Sequence, residues 1–299
     1  MKKMSEQKSR TFISVWIQSI YRQKDLLWSL FWLAGLLSLW IWNIFFLNRP
    51  ALQQVQIGFF NTIIISISVV FISLFTGWFS GLLLDFLEKS TLRRIYLSLT
   101  FITNLIRSIP QIIGILILYV FITILMEKEI INNVFIISFA IALSISIFMF
   151  LEIGDLIRER IRFYRKSDFF NAMLVCGIKE RVIINREILW KNSIIHIINK
   201  SIALFGNAIF LICSIDFILS VGLSTRINAV NFPVTLGSLL ARIDSKQDIL
   251  AIGHTLTHPA YFANLFFTHL QGISIAFLIV FTLLCIYRIS NGFSERYEL

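Results

Sequence analysis

Residues 155–192, DLIRERIRFYRKSDFFNAMLVCGIKERVIINREILWKN, decide how this chain is read. The stretch separates two long apolar segments. It holds nine Lys and Arg between Arg158 and Lys191, the densest positive cluster in the chain. It also carries an amphipathic core at Phe169, Ala172, Leu174, Gly177 and Ile183. A loop that is basic, partly apolar and bounded by membrane spans is expected at the cytoplasmic surface, offering a docking face to another protein. The bland alternative is a basic linker lying against anionic lipid.

Working outward, 57% of the 299 residues are hydrophobic and 15% charged, where a soluble domain carries about 25% charged residues. The apolar excess falls into runs of about 18 residues or more, the mark of transmembrane helices. The formal charge of +10 then reads as Lys and Arg gathered in cytoplasmic loops, not as a nucleic-acid surface. Cys176, Cys213 and Cys285 lie far apart, so neither a disulfide framework nor a metal knuckle is indicated. The basic start MKKMSEQKSR lacks a short apolar region with a small-residue cleavage site, so no cleaved signal peptide is expected.

Taken in order, residues 1–26 form a cytoplasmic or interfacial N-terminal segment. Within it TFISVWIQSIYRQK (11–24) has the helical spacing of a helix lying in the membrane interface or, on the alternative, a solvated leader helix. The first span is 27–47, closed by Asn48-Arg49-Pro50. A core of five further spans occupies 58–290: about 58–84, 96–126, 134–151, 194–221 and 263–287. The third exceeds a hydrocarbon core of roughly 30 Å and must tilt, kink or project, with Pro110 as the kink. The loop 155–192 separates spans four and five, a polar external loop 224–260 separates five and six, and 291–299 is a cytoplasmic tail. With the N-terminus inside, 20 of the 27 Lys and Arg fall in cytoplasmic segments and only Arg49, Lys128, Arg226, Arg242 and Lys246 outside. That asymmetry predicts an all-α membrane protein with six transmembrane helices and both termini in the cytoplasm.

Catalytic motifs are missing. Without G-x-x-x-x-G-K-[ST] the chain is not expected to bind ATP itself, and H-E-x-x-H and G-x-S-x-G are absent too. His254 and His258 share a helical spacing that suits a metal, with Asp248 and His269 as further ligands only if the fold brings them in. Pro259 biases His258 away from helix, and ordinary loop histidines are the simpler reading. Ionisable groups inside spans are functional candidates by default. Asp216 is expected to face a pore or a subunit interface; Arg107 either lines a water-filled path or snorkels to the inner interface. Pro110 and Gly222 complete the candidate path.

The basic loop resembles the cytoplasmic loop of permease subunits of ATP-binding-cassette (ABC) importers, whose pattern is E-A-A, three residues, G, nine residues, I, one residue, L-P. Ala172, Gly177 and Leu189 match it; Asn171, Met173, Glu187 and Trp190 depart from it. Ile188-Leu189, Asn192, Gly222-Leu223, Pro233 and Leu236-Gly237-Ser238-Leu239-Leu240 resemble the oligopeptide and dipeptide branch. Arg107-Ser108-Ile109-Pro110 resembles a third-span signature shared by several branches, including those for amino acids and phosphonates. The similarity covers about residues 58–290.

The resemblance implies a type I ABC importer permease with a cytoplasmic coupling helix, in the plasma (inner) membrane. Phe169, Phe170, Asn171, Ala172, Met173 and Leu174 would make that helix and its apolar docking face. Gly177 would allow the sharp turn after it, where a side chain would clash. Arg181 and Arg186 would meet acidic rim groups, and Leu189 would belong to the same coupling segment. Asn171 replaces the family's anchoring Glu, and Trp190 in place of Pro predicts a helix running unbroken into span five. Implied partners are a second, homologous permease, two ABC ATPase domains that bind ATP and Mg, an external solute-binding protein and membrane lipid; no cofactor of the chain's own is expected. The resemblance makes the chain a non-catalytic subunit importing peptides or a similar small solute. A stand-alone secondary transporter or channel is the alternative, and an intramembrane enzyme the remotest reading.

Overall fold

The computed structural model describes residues 23–89, 91–222, 232–264 and 270–297. These are helical, with no strand among them. The principal elements are α1 (Lys24–Phe46), α2 (Arg49–Lys89), α3 (Arg93–Ser108), α4 (Gln111–Glu127), α5 (Val134–Arg165), α6 (Asp168–Val175), a π-helix (Ile183–Asn192), α7 (Ile194–Gly222), α8 (Leu236–Leu240), α9 (Ile243–Thr257) and α10 (Leu270–Tyr297). Helices α1, α2, α5, α7 and α10 are each long and apolar enough to cross a membrane, and α3 with α4 would make a sixth crossing if the bent pair is one span. The interfacial helix expected at 11–24 lies outside the described residues.

Two spans are longer than the sequence reading gave. Helix α2 has 41 residues, about 60 Å at 1.5 Å per residue, against a hydrocarbon core of roughly 30 Å. Helix α5 runs on from Leu151 to Arg165, so the first part of the basic loop is a helical extension of the fourth span. The cause is a buried stripe. Ile137, Ile141, Ile145, Met149, Ile153, Ile157 and Ile161 recur every fourth residue and none is more than 1% exposed. The stripe continues through charged sequence because only the opposite face is charged. Helices α2 and α5 approach closely at a small-residue seam. A Cβ on Gly77 would come within 2.7 Å of the Phe150 carbonyl oxygen, and one on Gly81 within 3.0 Å of that of Gly154. Four-residue spacing of glycines puts both on one face and lets the backbones meet.

The third span is not a single kinked helix. Helices α3 and α4 meet at 97°. Ile109 is extended (ψ 125°) before Pro110, which has no N–H to continue the ladder. No residue of α3 is buried.

At the first connection Asn48 accepts a hydrogen bond from the Ala51 N–H and starts α2. At the last helix, α10 extends to Tyr297, so the tail begun at residue 291 is helical. Lys24 pairs with Glu295 and Arg296 with Asp25, bringing the start of α1 and the end of α10 to one end of the bundle.

The segment 224–260, expected as a polar external loop, is not simply a loop. Residues 223–231 lie outside the described residues, but Pro233, Thr235, Leu236, Gly237 and Leu239 are buried. The short helix α8 is wedged among the spans. Thr62 Oγ1 accepts from the Leu236 N–H at 3.0 Å, and Asn61 donates to the Val234 carbonyl at 2.8 Å. These bonds satisfy the irregular backbone inside protein.

Candidate coupling surface

Helix α6 sits beyond the end of α5 and is fixed by its turn, its buried ring and an ionic clasp. The turn comes first. Gly177 has φ +81°, the left-handed conformation favoured by glycine. Its N–H donates to Leu174 O at 2.9 Å and the Ile178 N–H to Met173 O at 3.2 Å, while Met173 and Ile178 both pack on the core. These two bonds make a Schellman closure. A Cβ at Gly177 would meet nothing within 4 Å. The constraint is therefore the backbone dihedral, not the clash expected from the sequence.

Second, the expected docking face divides. Phe170 is 4% exposed and joins the main core, and Met173 packs beside it. Phe170 anchors the helix, and Met173 contributes its buried part. Phe169 lies half-open against the Tyr164 ring, and Leu174 is similarly exposed. The outward face is Asp168, Asn171, Ala172 and Val175, with Val175 89% exposed. Val175 escaped the sequence reading, although its i+3 relation to Ala172 carried the signal.

Third, a clasp ties the loop to the spans. Arg165 reaches Asp85 with both terminal nitrogens, at 2.7 and 2.9 Å, and Glu180 at 2.8 Å, while its guanidinium lies 5.9 Å from the centre of the Phe170 ring. Lys89 bonds Glu180 at 2.6 Å. Next to this, Glu88 accepts from Arg162 at 2.9 and 3.0 Å and from Arg158 at 3.2 Å. The Lys89 hydrogen bond, joined by that from Arg165, holds the Glu180 carboxyl below its ordinary value against the opposing effect of partial burial. The signal missed in the sequence is spacing. Asp85, Glu88 and Lys89 share one helical face, as do Arg158, Arg162 and Arg165.

The remaining residues of the segment fall elsewhere. Leu189 is fully buried and acts as a core anchor. Arg181 lies over the Phe86 ring at 5.7 Å, so its cation already has a partner within the chain. Arg186 is open, with only Glu187 near it at 3.9 Å. The unbroken helix expected through Trp190 is instead a π-helix that ends at buried Ser193 (φ −121°), where α7 begins. The Asn192 side chain donates to the Glu187 carbonyl at 2.7 Å.

The candidate path residues are also redistributed. Asp216 is not open on the surface of the chain: it is 8% exposed and accepts a hydrogen bond from Thr235 at the start of α8. Arg107 pairs with Asp155 at 2.6 Å beside the α3–α4 break. Pro110 is exposed at that break. Gly222 ends α7, and its surroundings lie outside the described residues. His254 and His258 stack at 4.4 Å, and no group of three metal-ligating side chains occurs among the described residues.

No family model matches the chain, and no curated protein matches it significantly.

Proposed function

We propose that the chain is the membrane-spanning permease subunit of an ATP-driven solute importer, with α6 as the helix on which separate ATPase subunits push. The observation that carries this is the two-sided character of α6. One side is locked to the bundle by Phe170, Met173 and the Arg165 clasp; the other presents Asp168, Asn171, Ala172 and Val175 to no partner among the described residues. A helix held in this way transmits force. Displacing it loads α2 through Asp85 and α5 through Arg165, and the glycine seam makes those two spans move together. Rocking them as a rigid body switches access to the pore.

The charge asymmetry of the sequence supports placing this end of the bundle in the cytoplasm, with both termini there and the chain in the plasma (inner) membrane. A homologous second permease, two ATPase domains that bind ATP and Mg, and an external solute-binding protein complete the proposed complex. Peptides or a similar small solute are the proposed cargo. A stand-alone ion-driven transporter would need an intramembrane carboxylate to carry the ion; Glu152 is already paired with Lys200 at 2.6 Å, which leaves Asp216, bonded to Thr235, as the group that reading would use.

Two measurements test the reading. Purification in mild detergent should bring down a pair of ATPases and a second six-span protein. The exposed native Cys176 should react with a membrane-impermeant thiol reagent in inside-out vesicles and not in right-side-out ones. Reaction from the outside, or purification without an ATPase, overturns the proposal.

A further inference from the structure

We infer that the crevice between the start of α4 and the middle of α7 is the water-filled path of the solute, and that it receives the uncharged, hydrogen-bonding part of a polar molecule. The inference rests on the transporter reading above and deepens it. The crevice has a volume of about 380 Å³ and is lined by Pro110, Gln111, Ile112, Asn207, Phe210 and Leu211. Its polar groups are two carboxamides. Gln111 and Asn207 are both exposed, and neither side chain has a hydrogen-bond partner among the described residues. Asn207 lies at the centre of the 29-residue α7. An unpaired amide facing hydrocarbon at that depth is strongly disfavoured, so this face meets water or a polar solute.

The surroundings set the solute class. A smaller cavity shares Gln111 and carries the charged groups Arg107, Glu152 and Asp155. Each of these is neutralised within the chain, Arg107 by Asp155 and Glu152 by Lys200. The crevice therefore offers donors and acceptors without net charge, beside the apolar ring of Phe210. Such a surface pairs with amide, hydroxyl or carbonyl groups and gives no counter-ion to a phosphate, carboxylate or ammonium.

The test uses variants of the full chain in membrane vesicles, each with one added cysteine, with Cys176 replaced by Ala and the buried Cys213 and Cys285 kept. Asn207→Cys and Gln111→Cys should be labelled by small hydrophilic thiol reagents, while Phe75→Cys, on the open face of α2, should stay unlabelled. Two variants guard against misfolding in one. Normalised to free cysteine, anionic and cationic reagents of equal size should react at Asn207→Cys at the same rate, whereas an uncompensated charge nearby would separate them by about tenfold or more. Failure of both cysteines to label overturns the path. A tenfold preference for either charge overturns the solute class. Neither result touches the copurification of ATPases, so loss of this inference and loss of the permease reading are separate outcomes.

Discussion

Arg165 grips Asp85 in a two-pronged pair, Nη1 to Oδ1 at 2.7 Å and Nη2 to Oδ2 at 2.9 Å, joining helices that are 80 residues apart in sequence. Asp85 is 5% exposed. The pair therefore sits where the protein, not bulk water, sets the strength of the interaction, and Glu180 and Phe170 complete the cage around the same guanidinium.

Removing one partner from such a pair strands the other. Breaking a fully buried pair costs about 3–5 kcal/mol; Arg165 keeps 21% of its side chain open, so the cost of Asp85→Ala should fall to roughly 2 kcal/mol. Thermal unfolding in detergent reads this. The double variant Asp85→Ala/Arg165→Met should recover part of the loss. A double variant as unstable as the sum of the two singles would show that the pair is not coupled.

Glu180 makes the clasp sensitive to acid. Its folded pKa is below 4.5, so its stabilising contribution is complete above the unfolded value and is lost as pH falls through the lower, folded one. A spin label at Val175 should keep constant mobility from neutral pH down to about pH 5 and loosen below about pH 4. Glu180→Gln should be loose at every pH. Loosening between pH 6 and 7 in the native chain, in terms of approximate midpoints, would point to another group.

Phe170 and Val175 lie five residues apart and should behave oppositely. Phe170→Ala opens a cavity in the core and should cost about 3–5 kcal/mol. Val175→Glu meets no side chain among the described residues and should change stability by about 0.5 kcal/mol or less, yet should abolish recovery of the proposed ATPase partner in pull-downs. Equal ATPase recovery with Val175→Glu would remove α6 from the interface.

Gly177 tests whether dihedral or space governs the turn. With nothing within 4 Å of a Cβ, Ala and Leu should cost similar amounts, about 1–2 kcal/mol from the left-handed backbone, and Asn should cost less. A cost rising steeply with side-chain volume would mean that space is the limit after all. In the transporter proposed above, Leu at this position should leave ATP hydrolysis running while uptake stops.

Much of this architecture was legible in the residues. Apolar runs located the spans, Pro110 located a break, and Gly177 located a turn, because each is a local consequence of hydrophobicity or backbone sterics. The angle at Pro110 was not legible: proline removes one hydrogen bond but does not set the direction in which the chain resumes. The length of α5 was missed because charged residues alternate with Ile153, Ile157 and Ile161, and total hydropathy hides a buried stripe one residue wide.

By itself, then, the sequence determined an all-helical chain of apolar spans with a basic segment between two of them, since burial of side chains in lipid and helical periodicity act over neighbouring residues. Only the tertiary structure decided which side of α6 is free. Phe169, Phe170, Met173, Leu174 and Val175 are apolar around most of an eight-residue helix, so no periodicity selects a face; contact with the core does. The same holds for Asp216, whose carboxylate is turned inward by a threonine 19 residues away. Partners distant in sequence set those choices, and hydrogen bonding and packing between them exist only once the helices have met.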